Sequence, residues 1–176
     1  MLKSYNGYVL RPATAEDAQN YYEGNFSPMD SEVKRLTGTE REFTEDEVKS
    51  FFLKCLQWDR YDFLIISPSG KVIGEAVINE VNRKRKRANF RIALFHSEDF
   101  GHGIGSWAAE NTVDFAFSKG GLDMLELSVF TFNTRAVKVY KRLGFTVSEA
   151  IDGELIMELS AADWNNNKKH IQQTKE

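Results

Sequence analysis

The stretch between Asn89 and Arg142 limits what this chain can fold into more than any other, because strand, glycine loop, helix, strand and helix follow one another there without interruption. Residues 89–95 form an apolar, strand-like run, and His96 to Asp99 make a polar break after it. Glycines then recur at alternate positions, Gly101, Gly103 and Gly105, and a helix is expected from about Ile104 to Lys119. Residues 124–130 read as the next strand, and residues 133–142 as a final helix broken at Leu143-Gly144-Phe145. Strands on either side of one helix are expected to be parallel neighbours joined by a right-handed crossover. The fold class is therefore α/β, with a mixed sheet flanked by helices.

Glycines just ahead of a helix let the backbone approach an anion, since no Cβ intervenes. The free N–H groups of the first helical turn point at that anion, and the helix dipole favours negative charge there. Gly101, His102, Gly103, Ile104, Gly105 and Ser106 thus make a candidate pyrophosphate cradle, the alternative being a plain tight turn. Spacing excludes two phosphate motifs. A P-loop ends in Gly-Lys-Ser/Thr, and Gly105-Ser106-Trp107 has no lysine. A dinucleotide fingerprint needs G-x-G-x-x-G, and Ser106 stands where the third glycine should be.

Phe100-x-x-Gly103-x-Gly105 resembles the acyl-CoA signature of the GNAT N-acetyltransferases, Q/R-x-x-G-x-G/A. The later Asn133-x-x-Ala136-x-x-x-Tyr140-x-x-x-Gly144-Phe145 is similar to the second half of that family's pattern. One helix and one strand separate the two signatures, as the family requires, and the pair is more specific than either part. The resemblance covers roughly Tyr8 to Leu159 and is nearest to the ribosomal-protein-alanine and spermidine acetyltransferase branch. It implies the GNAT acyl-CoA N-acyltransferase fold, acetyl-CoA as cosubstrate and no metal. The acceptor it implies is a primary amine, either a small molecule or a peptide N-terminus, and it makes a homodimer plausible.

Amine acetylation requires a held thioester, a polarised carbonyl, a deprotonated ammonium and a protonated leaving thiolate. The resemblance implies that the amides from Gly101 to Ser106 hold the pyrophosphate, with His102 adding a donor of little charge at neutral pH. It puts Ala93, Leu94 and Phe95 where family members bend, with a backbone N–H near Leu94 supporting the oxyanion. Asn133, Arg135 and Ala136 fall beside the cofactor arm, although Asn133 suits a helix N-cap equally well. Tyr140 matches the family's general acid, and it also shares a helix face with Ala136, Val137 and Leu143, as a core tyrosine would. The base departs from the pattern. Where many members of this branch carry a glutamate, this chain has Asn89, which cannot take a proton. Glu75 or Glu80, a water, or an amine that arrives neutral stay open as alternatives. The same departure supports a rival reading, a catalytically weak acyl-CoA-binding or sensing module.

The 176 residues lead us to expect one domain over residues 1–164 and a polar, weakly held tail over residues 165–176, with one short turn of helix through Trp164. A net charge of −3 argues against a nucleic-acid partner. The basic run Arg83-Lys84-Arg85-Lys86-Arg87 has no interleaved aromatics and reads as a solvated hairpin tip. His96, His102 and His170 with the single Cys55 do not make a metal site. Cys55 falls on a helical apolar face with Val48, Phe51, Phe52 and Leu56, so an inert buried thiol is expected. No charged leader with an apolar run opens the chain and no apolar stretch reaches membrane length, so a cytoplasmic protein without membrane partners is expected.

Ahead of the core, residues 8–12 read as a strand stopped by Pro12. Thr14-Ala15-Glu16-Asp17 and Thr44-Glu45-Asp46-Glu47 have capping-box form and open helices to about Glu23 and Trp58. Residues 25–41 show no clear period and read as a loop with one short helix, in the region that the resemblance makes a wall of the acceptor pocket. Residues 63–66 and 72–78 read as a hairpin, and residues 153–159 as a closing strand.

Overall fold

The computed structural model describes residues 3–173. Among them the strands are β1 (Lys3–Tyr5), β2 (Tyr8–Pro12), β3 (Tyr61–Ile66), β4 (Val72–Asn82), β5 (Arg87–Leu94), β6 (Met124–Phe130), β7 (Thr146–Ile151) and β8 (Glu154–Ser160). The helices are α1 (Ala18–Asn25), α2 (Ser31–Thr37), α3 (Glu45–Cys55), α4 (Ile104–Ser118), α5 (Thr134–Leu143) and α6 (Ala161–Gln173). The strands join in one mixed sheet of order β1-β2-β3-β4-β5-β6-β8-β7. β5 and β6 pair in parallel across the connection through α4, as expected, while β1–β2, β2–β3, β3–β4, β6–β8 and β7–β8 are antiparallel. Contacts divide the chain into two compact units.

The first unit holds the described residues up to Asn79 together with Arg91–Thr112. Both expected capping boxes form in it. The Thr14 N–H donates to Asp17 Oδ2 at 2.8 Å and the Thr44 N–H to Glu47 Oε2 at 2.8 Å, which satisfies donors that the helix starts would otherwise leave unpaired. α1 and α3 cover one sheet face, where Ala18, Tyr21, Val48 and Phe52 meet Leu64, Val72 and Phe95 in one buried cluster. Cys55 is buried, and burial pushes its thiol up, as an inert thiol requires. Phe51 departs from the expected apolar face: it is 54% exposed and meets Trp58 edge-on at 5.9 Å.

The second unit holds Glu80–Phe90 and Val113 onward. β6 takes the expected bounds, and its inward residues Leu125 and Leu127 stand opposite Leu159 and Met157 of β8, all of them buried. Ser160 accepts from the Asp163 N–H at 3.1 Å and so caps the helix that follows. The helix then continues to Gln173 instead of stopping near Trp164. Side-chain contacts explain the difference: Trp164 is 1% exposed and donates from Nε1 to Asp114 at 3.3 Å, Lys168 pairs with the same carboxylate, and Asn167 donates to the Arg142 carbonyl at 2.9 Å. The end of the expected tail, residues 174–176, and the His170 side chain lie outside the described residues. β1 and β7, absent from the sequence reading, extend the sheet at both edges. No helix among the described residues is long and apolar enough to cross a membrane.

Candidate active site

In the first unit, the end of β5 is fixed by β4. The Phe95 N–H donates to the Ile73 carbonyl at 2.9 Å. Gly74 makes this approach tolerable, because a Cβ there would stand 2.6 Å from the Ala93 carbonyl oxygen. Backbone groups alternate sides along a strand. With Phe95 turned to β4, the N–H of Leu94 points away from it. The register of β5 with β6 runs Arg87↔Met124, Ala88↔Leu125, Asn89↔Glu126 and ends there, well short of Leu94.

The glycine loop follows. Gly101 (φ +83) and Gly103 (φ +79) both take left-handed backbone, which an L side chain adopts only at a cost. The first helical bond of α4 runs from the Trp107 N–H to the Gly103 carbonyl at 2.9 Å. The N–H groups of Ile104, Gly105 and Ser106 therefore have no partner within the helix and form its N-terminal anion-facing turn. Ile104 anchors the turn at 1% exposed, while His102 is exposed. The residues thus fit a pyrophosphate: the loop needs left-handed backbone and the first-turn amides stay free of the helix.

Glu75 and Arg91 sit on the other face of the same strands. The Tyr21 hydroxyl donates to Glu75 Oε2 at 2.9 Å, and Arg91 Nη2 lies 2.9 Å from Glu75 Oε1. The Glu75 side chain is 10% exposed and that of Arg91 48%. Glu75 holds the Arg91 guanidinium above its usual range, and burial, then the Glu75 charge, pushes the Tyr21 phenol well up. Sequence reasoning missed Tyr21 and Arg91. The available signal was one charge in each of two apolar runs, Glu75 among residues 72–78 and Arg91 among residues 89–95. Nearby, His96 Nε2 lies 2.8 Å from the Gly24 carbonyl, and Asp30 accepts from the Ser97 N–H at 3.0 Å and its Oγ at 2.8 Å. These contacts tie the break before the glycine loop to the ends of α1 and α2. An open cavity of about 370 Å³ lies among Tyr22, Phe26, Met29, Lys34, Arg41 and Phe43, within the stretch that the sequence left without a period or at its flanks.

In the second unit, Asn133 caps α5, accepting from the Ala136 N–H at 3.2 Å. Tyr140 is 6% exposed and meets Phe90 at 6.3 Å and Phe145 at 5.8 Å. Burial alone raises its phenol, so it stays protonated at neutral pH, and no hydrogen bond to its hydroxyl is seen among the described residues. Arg135 is exposed. Glu80 is exposed at a left-handed position (φ 52). Asn89 stands opposite Glu126, whose carboxylate is held by Arg87 at 2.9 Å. The basic run is the expected hairpin tip: Arg83 donates to the Gly120 carbonyl at 2.9 Å, Lys86 lies 3.5 Å from Asp123, and Arg87 also reaches Glu158 at 2.9 Å. No cluster of His, Cys, Asp and Glu fit for a metal is found among the described residues.

A parallel β5–α4–β6 unit, a glycine loop opening its helix, and a strand end whose Leu94 N–H turns away from β4 fit an acyl-CoA N-acyltransferase fold, and the family model agrees. The acetyltransferase (GNAT) domain matches residues 8–146, and the chain belongs to this family. An uncharacterised N-acetyltransferase of Methanocaldococcus jannaschii is 28% identical over 156 residues, 85% of this chain and 66% of the relative. The spermidine N(1)-acetyltransferase of Escherichia coli K12 is 32% identical over 94 residues, 53% of this chain and 48% of the relative. The chain thus spans less than two thirds of the length of either. Among solved structures, the spermidine N-acetyltransferase of Vibrio cholerae, with CoA and spermine, superposes with a TM-score of 0.78 at 20% identity, covering 92% of this chain and 100% of that one. The ribosomal-protein-S5-alanine acetyltransferase of Vibrio fischeri gives 0.75 at 21% identity, covering 93% and 98%. At these identities the likeness is one of fold.

Proposed function

We propose that this chain is an acetyl-CoA-dependent N-acetyltransferase that acetylates a primary amine by direct attack. The observation that carries the reading is the pairing, on consecutive elements of the first unit, of a strand end whose Leu94 N–H points away from β4 with a left-handed glycine loop opening α4. The loop amides from Gly101 to Ser106 would take the pyrophosphate of acetyl-CoA, and Ala93 to Phe95 would align its arm. The neutral amine nitrogen forms a bond to the thioester carbonyl carbon, and the oxyanion of the tetrahedral intermediate is met by the Leu94 N–H. The C–S bond then breaks, Tyr140 gives its phenolic proton to the thiolate, and the proton shed by the acylated nitrogen restores the phenol. Asn133 and Ala136, with Arg135, would flank the arm at the start of α5. Cys55, buried and protonated, takes no part.

The attacking ammonium must first lose a proton. Asn89 has no proton-accepting group, Glu75 is already engaged by Arg91 and the Tyr21 hydroxyl, and Glu80 is exposed. The reading therefore has the amine shed its proton to water. The same facts favour the second reading, an acyl-CoA-binding module of weak turnover. A cytoplasmic setting and a homodimer go with the first reading; the relative from Vibrio cholerae is described as a dodecamer.

The test is acetyl transfer from acetyl-CoA to a panel of polyamines, amino acids and N-terminal peptides, followed by mass spectrometry, with a thermal shift by acetyl-CoA alongside. Acetylated product with one amine class supports the enzyme. A rise in Tm without product on any amine supports the sensor. No shift and no product would overturn both.

A further inference from the structure

Arg91 is held as if to be used. β5 carries two arginines, and Arg87 is engaged by Glu126 and Glu158. Among the described residues, Arg91 instead pairs through Nη2 with one carboxylate, which is itself fixed by the Tyr21 hydroxyl. Asp62, another carboxylate that acts on Arg91, is clamped by Arg60 at 2.8 and 2.6 Å. A guanidinium has five donors in a rigid fork. Glu75 therefore orients this fork from one corner and, on a side chain 48% exposed, does not engage its other donors.

Its position matters for the acetyltransferase reading. The Leu94 side chain lies on the α4 face, where a Cβ on Gly105 would meet it at 3.7 Å. Ala93 lies on the opposite face, packed against the cluster of Tyr21 and Phe95, and strand alternation puts Arg91 on that face too. Two residues of strand separate Arg91 from Ala93, roughly 6.6 Å. With the cofactor's phosphates on the α4 side, an amine that attacks a carbonyl polarised at Leu94 comes from the Ala93 face and passes within a side chain's length of the guanidinium.

We propose that the acceptor is an amine carrying a carboxylate close to its nitrogen, as an amino acid does, and that Arg91 recognises that carboxylate. The assignment rests on the acetyltransferase reading. It separates this chain from relatives named for spermidine, since a polyamine offers a second ammonium, itself only a donor, where the fork's remaining donors call for an acceptor. Glu75 and Tyr21 are positioning residues that hold the fork.

The experiment compares an amino acid, its decarboxylated amine and spermidine as acceptors for the full chain and for Arg91→Gln. Wild type should prefer the amino acid. Arg91→Gln should raise the acceptor KM for the amino acid ten-fold or more, leave the KM for acetyl-CoA within two-fold, and leave the decarboxylated amine unchanged; Arg91→Lys should restore part of the loss. Equal losses on both acceptors, or a wild-type preference for spermidine, would overturn the assignment. Calorimetric titration of the CoA-saturated chain with the N-acetylated amino acid gives a readout that does not need turnover. Binding that weakens in Arg91→Gln supports the carboxylate site even if no amine is acetylated, in which case the acetyltransferase reading fails alone. If Arg91→Gln does not fold, competition by the deaminated acid against the N-acetylated product on wild type decides. Displacement supports the site, and none overturns it.

Discussion

Tyr21 and Tyr140 are both buried, and in both burial holds the phenol above its ordinary value, yet their surroundings differ in kind. The Tyr21 hydroxyl donates to Glu75 at 2.9 Å, and its ring packs against Phe52 at 4.7 Å and Phe95 at 5.5 Å. The Tyr140 ring meets Phe90 at 6.3 Å and Phe145 at 5.8 Å, but its hydroxyl has no hydrogen-bond partner among the described residues. A phenol whose proton is committed to a carboxylate is a strut. In the proposed function, the Tyr140 phenol would instead give its proton to the departing thiolate. Burial alone therefore does not distinguish the two tyrosines; the hydroxyl's partner does.

Mutation should separate the two. The largest effect is expected of Tyr140→Phe: kcat should fall about 100-fold or more, the range of a lost general acid, with Tm nearly unchanged because the removed atom has no protein partner. Tyr21→Phe should do the reverse, lowering stability in urea unfolding by about 1–3 kcal/mol, since it strips a buried carboxylate of a donor, while kcat changes only a few-fold. Gly103→Ala tests the cradle independently of either tyrosine. Its φ of +79 and the Tyr5 hydroxyl 3.3 Å from the added Cβ should weaken acetyl-CoA binding by roughly ten-fold, the equivalent of about 1–2 kcal/mol of left-handed strain. Asn133→Ala should remove the α5 cap at about 1 kcal/mol, seen as a lower urea midpoint at unchanged slope.

The smallest effect is on pH dependence. The Asp30 carboxyl is pulled down to about 2, first by the Ser97 N–H and then by the Val33 N–H, the Ser97 hydroxyl and the Glu32 N–H. Its folded value lies below its unfolded one, so its contribution is whole above the ordinary aspartate range and disappears as pH falls towards 2. Asp30→Asn should flatten the fall of Tm between pH 4 and pH 2.

Much of this was legible in the sequence, and the misses have physical causes. The bounds of β6, the start of α4 and both capping boxes follow from local pattern, because each is decided by residues within a few positions of one another. β1 and β7 were missed although each carries a hairpin signal. Asn6-Gly7 (φ 49 and 83) and Asp152-Gly153 (φ 49 and 84) are the left-handed pairs that two-residue turns prefer. Neither edge strand has a buried face, so neither alternates, and periodicity could not find them. α6 was missed for a related reason: Trp164, Asn167 and Lys168 fasten it through polar contacts that an apolar period does not record. The glycine loop was readable because its conformation needs glycine. The Glu75–Arg91–Tyr21 network was not, since its members come from two strands and a helix far apart in the chain.

The most direct test of the central claim is amine-dependent thiol release from acetyl-CoA by wild type, Tyr21→Phe and Tyr140→Phe, with acetyl-CoA affinity measured on all three. The account predicts that wild type and Tyr21→Phe release thiol at similar rates, that Tyr140→Phe loses turnover, and that all three bind acetyl-CoA alike. A Tyr140→Phe variant that turns over as fast as wild type, or a Tyr21→Phe variant that loses as much, would contradict it.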